Sequence, residues 1–218
     1  MRHRKVRELM TRDVVRVRQD APFKEIVRLL TEHQVTALPV VDDQDRPLGV
    51  VSEKDLLRKS TDQSGSADLL PLPDPEAWER AKAEGTKAEE LMSAPAVCAR
   101  PEWSVVEAAR LMEVQNVKRL PVVDESDKLI GIVSRRDLLG VFLRDDEAIR
   151  LEIVQDVLAR TLGRDPSSIT VEVREGQVVL SGSVPFKGML AAVDRMCMSV
   201  DGVVSVSDHL SFDVDDTA

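Results

Sequence analysis

The chain has 218 residues, 43% hydrophobic but only 3% aromatic, which allows one or two compact units with cores built from Val, Leu, Ile, Ala and Met. No stretch approaches the ~20 apolar residues of a membrane span, and no apolar run follows the charged N-terminus as a signal peptide requires. The net charge of −9 is uneven: 14 acidic and 6 basic side chains lie from residue 145 onward, and such an acidic third is not drawn to DNA, RNA or anionic lipid by bulk charge.

In chain order, the basic run Arg2, Arg4, Lys5 and Arg7 is short and reads as a solvated start rather than a nucleic-acid arm. Phe23, Ile26, Val27 and Leu30 fall at i, i+3, i+4 and i+7, which predicts an amphipathic helix, and Pro22 suits its start. Leu38-Pro39-Val40-Val41-Asp42 is a short apolar strand ended by the polar turn Asp43 to Arg46. Leu48-Gly49-Val50-Val51 returns as a second strand of a hairpin, and Ser52 opens another helix. Ser60 to Glu76 is rich in Ser, Gly, Asp and Pro and reads as a loop; Ala77 to Ala83 is expected to form a short helix ending near Gly85. Residues 60–87 are thus a linker, with a lid over a ligand as the alternative.

The pattern then begins again. Adding 82 to any position from Leu9 to Leu57 lands on its counterpart without a gap, and 20 of those 49 positions are identical. Val105, Ala108, Ala109 and Met112 repeat the amphipathic helix after Ser104. Leu120 to Asp124 repeats the strand, Glu125 to Asp127 the turn, and Ser134 the start of the last helix. Such a repeat is read before anything else. Each copy is expected to run β-α-β-β-α, and a copy of 50–60 residues is small for a core of its own, which favours packing the two together.

The last third differs. It predicts a helix over 147–162, a strand at Ile169 to Val173, a turn at Glu175-Gly176, a strand at Val178 to Val184, a helix at Met189 to Val200 and a final strand at 203–212. That order, αββαβ, is a small α+β domain. The tail from Asp213 is expected to fray.

Both copies carry the word Gly-x-x-Ser-x-x-Asp-Leu-Leu, with Ser52 and Asp55 in the first and Ser134 and Asp137 in the second. Ser-x-x-Asp before apolar residues resembles a capping box, in which the Ser accepts a first-turn N–H and the Asp favours the positive end of the helix. The same geometry serves an anion, because a helix N-terminus offers free N–H groups. A Ser hydroxyl can bond a phosphate oxygen there, and a carboxylate one turn on can accept the two hydroxyls of a ribose. Gly49 and Gly131 would leave room for the approach. A cap can be recruited by a ligand, so both readings stay open.

The doubled Leu-Pro-Val-Val-Asp and Gly-x-x-Ser-x-x-Asp words resemble those of the CBS domain family, over residues 6–59 and 88–142. The resemblance implies an α+β fold in which two units pack as a pseudo-twofold pair, the Bateman module. It also implies an adenosine-type ligand such as AMP, ADP, ATP or S-adenosylmethionine in clefts between the units. The motif Asp would hold the ribose and the Ser would face the phosphate, roles that fall to Asp55, Asp137, Ser52 and Ser134.

The copies are unequal. The residues before Leu-Pro-Val-Val are Thr36-Ala37 in the first and Lys118-Arg119 in the second. Arg119 suits a phosphate, because guanidinium pairs with it through two bonds. Arg135 and Arg136 add charge where the first copy has Glu53-Lys54, so the Asp137 site ranks above the Asp55 site. Val35 and Val117 could contact a base, or be ordinary core.

Residues 147–213 resemble a BON domain through Glu175 to Val184 and Asp201 to Leu210. That resemblance implies attachment to phospholipid. The acidic charge and the lack of an export signal depart from it and favour an interaction module, with membrane contact as a weakly supported alternative. Gly182 and Gly202 are expected to serve turns or bulges, and Lys187 is the domain's only Lys.

His3, His33 and His209 are isolated, and Cys98 and Cys197 have no CxxC spacing and read as buried thiols of a reducing compartment, so no metal site is expected. No P-loop and no catalytic triad spacing occurs. The expectation is a non-catalytic cytoplasmic protein needing no cofactor. It senses an adenine nucleotide, dimerises through its paired copies and acts on an unknown protein partner. The alternative is a ligand-independent dimerising scaffold.

Overall fold

The computed structural model describes residues 3–63, 85–159 and 168–216. The helix predicted at 77–83 lies outside these residues, as does the end of the one predicted at 147–162. The chain falls into two compact units. One holds Val6–Trp103 and Glu107–Ser134; the other holds Met1–Lys5, Ser104–Val106 and Arg135–Ala218.

The first unit contains both hairpins. Its first copy runs from a short helix Val6–Leu9 through β1 (Val17–Arg18), the helix Phe23–Glu32, β2 (Ala37–Val41) and β3 (Pro47–Ser52) to the helix Glu53–Gln63. The second runs from a short helix Ala88–Leu91 through the helix Val105–Val114 to β4 (Arg119–Val123) and β5 (Leu129–Ser134). The short opening helices were not predicted. The second copy's opening strand shrinks to one parallel bridge, Ala99 with Val122.

The predicted helices and hairpins form because their apolar spacing and turn chemistry agree. Ile26 and Leu30 bury one face of the first amphipathic helix, Ala108 and Met112 that of the second. Gln34 and Asn116 take φ of 53° and 50° to end those helices. In both hairpins an Asp ties the turn. Asp42 Oδ1 accepts the N–H groups of Gln44 and Arg46, and Asp124 Oδ1 those of Ser126 and Lys128. The Arg46 backbone N–H above all holds the Asp42 carboxyl below its ordinary value. Both ladders also shift register at the same place, between Val40 and Val41 and between Val122 and Val123.

The repeat becomes a pair by exchanging openings. Thr11 of the first copy exchanges two backbone hydrogen bonds, both 2.9 Å, with Ile132 of the second. Ser93 of the second does the same with Val50 of the first, at 2.8 and 3.0 Å. The pairs Val6 with Trp103 and Ala88 with Ala21 are related in the same way. Ala88 and Leu91, from the second copy, are fully buried in the core formed by Ile26, Leu38, Val40 and Val51 of the first. The second copy's opening therefore completes the core of the first, and the bonds of Val6 and Thr11 tie the first copy's opening to the second.

The second unit carries the αββαβ domain. Asp145 caps the helix Asp146–Glu152 by accepting the Glu147 N–H at 2.8 Å. A wider π-type turn, Ile153–Leu158, continues it. Strands β6 (Ile169–Arg174), β7 (Gln177–Phe186) and β8 (Ser205–Val214) form one sheet in the order β6-β7-β8, with β6 antiparallel and β8 parallel to β7. The helix Gly188–Met198 makes the crossover that a parallel pair requires. Ile149, Ile153, Leu180, Val193 and Cys197 form the core between helices and sheet. The final strand begins two residues later than predicted, because Val203 and Val204 close the turn, donating to the Val200 and Gly176 carbonyls. No helix among the described residues is long and apolar enough to cross a membrane.

Candidate ligand site at the motif helices

In the first copy the ladder sets Ala37 opposite Ser52. Ser52 ends β3 and stands just before the helix, with Asp55 three residues on. Both the Ser52 N–H and its hydroxyl donate to Asp55 Oδ2, at 2.9 and 2.6 Å. The backbone half of the capping box is thus present, but the hydroxyl donates to the carboxylate instead of accepting a first-turn N–H. A carboxylate is the stronger acceptor, and a charge-assisted O–H bond of this length outcompetes a neutral one. Asp55 is the one buried charged residue among the described residues, 7% exposed as a whole residue.

Asp55→Ala is expected to cost about 1–2 kcal/mol of stability without any ligand, since it strands the Ser52 donors. A calorimetric melt would read this directly. A loss below about 0.3 kcal/mol would mean that Ser52 finds another acceptor.

In the second copy Arg119 lies opposite Ser134 in the ladder. Its Nη2 reaches across to the first copy and donates to Thr36 Oγ1 at 2.6 Å. The structure therefore brings together the strand starts of both copies, with Arg119, half-buried as a residue, making an exposed bond at their meeting point. Lys118 beside it is exposed. Thr36 was visible in the sequence only as a polar residue before a strand, and nothing in its spacing foretold this contact.

The remaining candidates are placed unevenly. Ala37 is 4% exposed inside its strand and offers little beyond its backbone. Val35 is half-buried against the first copy's core, and Val117 is half-buried as well. Asp137 is half-buried in the helix Arg135–Leu139, where Arg135 and Arg136 are exposed. That helix belongs to the second compact unit.

The glycines need a correction. Gly49 and Gly131 do not clear an approach for a ligand. A Cβ on Gly49 would fall 2.5 Å from Met92 Sδ and 2.7 Å from the Ser93 carbonyl; on Gly131 it would fall 2.5 Å from Met10 Sδ. The space is filled by the opening segment of the other copy.

Among the described residues no three His, Cys, Asp or Glu side chains gather as a metal site. Cys197 is fully buried, and burial pushes its thiol up to about 12. Cys98 is half-buried and also raised, chiefly by burial. Neither has the low pKa of a reactive thiol.

The family model described as CBS domain matches residues 6–62 and 88–144, and that described as BON domain matches 145–213. The chain belongs to the CBS domain family, with two CBS domains followed by a BON domain. An uncharacterised protein of Methanopyrus kandleri is 31% identical over 65% of this chain and 64% of its own length. The CBS domain-containing protein CBSX2 of Arabidopsis thaliana, a chloroplastic protein, is 33% identical over 59% of this chain and 58% of its own. The chain thus spans somewhat under two thirds of either relative. The solved structure of CBSX2 in complex with AMP superposes with a TM-score of 0.53 at 32% identity, covering 64% of this chain and 96% of that one. The CBS domain pair of protein MJ0100, solved with 5'-methylthioadenosine and S-adenosyl-L-methionine, shares the fold at 19% identity, with a TM-score of 0.52 over 65% and 97% of the two chains.

Proposed function

We propose that this chain is a non-catalytic regulatory protein whose paired CBS domains, taken as 6–59 and 88–142 with 60–87 as the connection, bind an adenosine-type ligand. The candidates are AMP, ADP, ATP and S-adenosylmethionine. The domain at 147–213 acts as the interaction module that carries the signal to a protein partner. The protein works in the cytoplasm as a homodimer formed through the CBS pair, needs no further cofactor and has no nucleic-acid partner.

The observation that carries this reading is Arg119, held 2.6 Å from Thr36 at the point where the two copies meet. A neutral hydroxyl is a weak partner for a guanidinium. A phosphate would offer the same guanidinium a charge-assisted, two-pronged bond, stronger than the one the hydroxyl gives. By its motif the second copy assigns Ser134 and Arg119 to the phosphate, Asp137 to the ribose, Lys118 and Arg136 to added positive charge, and Val117 to the base. Ser52, Asp55, Ala37 and Val35 make the second, weaker site. CBSX2, 32% identical and solved with AMP, supports the ligand class.

The test is thermal melting against AMP, ADP, ATP, adenosine and S-adenosylmethionine, with GTP as control. A ligand at 100 times its dissociation constant stabilises by about 2.7 kcal/mol, which moves a melt by roughly 5–10 °C. The AMP shift should vanish in Asp137→Ala. In Arg119→Ala it should fall for AMP but not for adenosine, since only the phosphate is lost. Equal losses for both would remove Arg119 from phosphate recognition.

One observation favours the scaffold reading. The Ser52 hydroxyl and N–H are both committed to Asp55, so the first motif already serves its own helix. A dimer whose mass and melting ignore every nucleotide in the panel would establish that reading instead.

A further inference from the structure

Strand β8 is the edge of its sheet. It pairs with β7 on one side in a constant parallel register from Ser205 to Val214, interrupted only at Asp213 opposite Pro185, and among the described residues no strand lies on its other side. It is ten residues long and none of them is buried. An edge of that length normally carries a bulge, a Pro or a Lys that blocks further pairing. β8 has none of these. One backbone N–H, that of Leu210, is taken by its neighbour Asp208 Oδ1 at 2.7 Å.

The two faces of the strand differ. The register places Val206, Asp208, Leu210, Phe212 and Val214 beside Val178, Leu180, Gly182, Val184 and Phe186. On that face Phe186, Phe212 and Val214 are 46%, 41% and 52% exposed, so an apolar row runs open to the end of the sheet. The charge along the strand and its continuation is acidic: Asp208, Asp213, Asp215 and Asp216. Lys187 is already paired with Asp215 at 2.8 Å and lies over the Phe212 ring.

We propose that β8 receives an extended basic segment of a partner protein as a fourth strand, with apolar residues on one face and Lys or Arg on the other. Backbone bonds to the open edge supply the docking, apolar residues extend the Phe212–Val214 row, and the cations on the other face meet Asp213. A second copy of β8 fits poorly. Each strand brings two Asp and no Lys or Arg, and like charges on adjoining strands repel. The inference rests on the domain being an interaction module and not on a nucleotide in the CBS pair, so it is tested without nucleotide.

The probe is a fluorescein-labelled nonapeptide alternating Val or Ile with Lys or Thr, followed by anisotropy with the full chain. Its control carries N-methyl groups on alternate amides, which keep the charge and remove the strand bonds. Binding is expected to weaken by at least about tenfold on N-methylation, and by about threefold or more in Asp213→Lys protein of unchanged melting temperature. Hydrogen exchange should slow at 205–214. The proposal is overturned if the probe does not bind, if the N-methylated peptide binds within about twofold, or if protection falls elsewhere, which would keep the module but move its surface. A doubling of mass in light scattering that blocking the edge with Leu210→Pro abolishes would assign the edge to a second copy instead.

Discussion

Gly182→Ala melts the C-terminal domain far below the wild type while leaving the CBS pair folded. Gly182 sits in the central strand β7 at φ 129°, a backbone that L side chains rarely adopt. A Cβ there would lie 2.0 Å from the Ser168 carbonyl oxygen, just before Ile169, its ladder partner in β6. The obstruction is backbone in the paired region, so no side chain can swing aside. Strain and overpacking together are expected to cost about 3–5 kcal/mol. A domain of this size moves by ~4–8 °C per kcal/mol, so its transition should fall by more than about 10 °C. Neither Trp lies in this domain, so Trp fluorescence should follow the CBS pair and calorimetry both transitions. Ser181→Ala and Ser183→Ala, exposed or half-exposed neighbours, serve as controls. A drop under about 2 °C for Gly182→Ala would mean that β6 starts elsewhere in solution.

The second large effect separates two glycines that the repeat makes equivalent. At Gly49 an added Cβ meets both a side chain and, at 2.7 Å, the Ser93 carbonyl; at Gly131 the nearest backbone is the Thr11 carbonyl at 3.2 Å. Ser93 is pinned by its two bonds to Val50 and cannot retreat. Met10, by contrast, is unbranched and adapts. Gly49→Ala is therefore expected to cost about 2–3 kcal/mol and Gly131→Ala about 1 kcal/mol, compared by calorimetric melts. Met10→Ala should couple favourably to Gly131→Ala, while Met92→Ala should leave most of the Gly49→Ala penalty in place. Equal losses for the two glycines would mean that the pair is more symmetric than the distances state.

These glycines mark what the sequence could convey. The 82-residue offset, both hairpins, their polar turns and both amphipathic helices follow from local pattern. So does the αββαβ order, with shifts of two residues or fewer at the starts of the last helix and strand. The Ser52–Asp55 pair was legible as a cap, but not the direction of its hydroxyl bond, because that depends on which acceptor is closer. The exchange of openings was not legible. The helices Val6–Leu9 and Ala88–Leu91 are too short to show a period, and their partners lie far along the chain. For the same reason Gly49 and Gly131 read as space for a ligand when the space belongs to Met92 and Met10. Thr36 was hidden because a lone polar residue at a strand start has no pattern to betray a long-range partner.

The exchange of openings also has an evolutionary side. A single copy, cut from the chain, would lack the helix and bridge that finish its core. Two such halves could trade openings with each other and rebuild the pair as a separate two-chain assembly. A gene encoding one copy can thus make the complete architecture before any duplication joins the halves, and fusion then only replaces collision by tethering. A tether contributes through its effective concentration, and doubling its length costs only about 0.6 kcal/mol. The connection between the copies can therefore lengthen at small cost, while the segment that follows it, Ala88 to Ser93, stays bound to the first half.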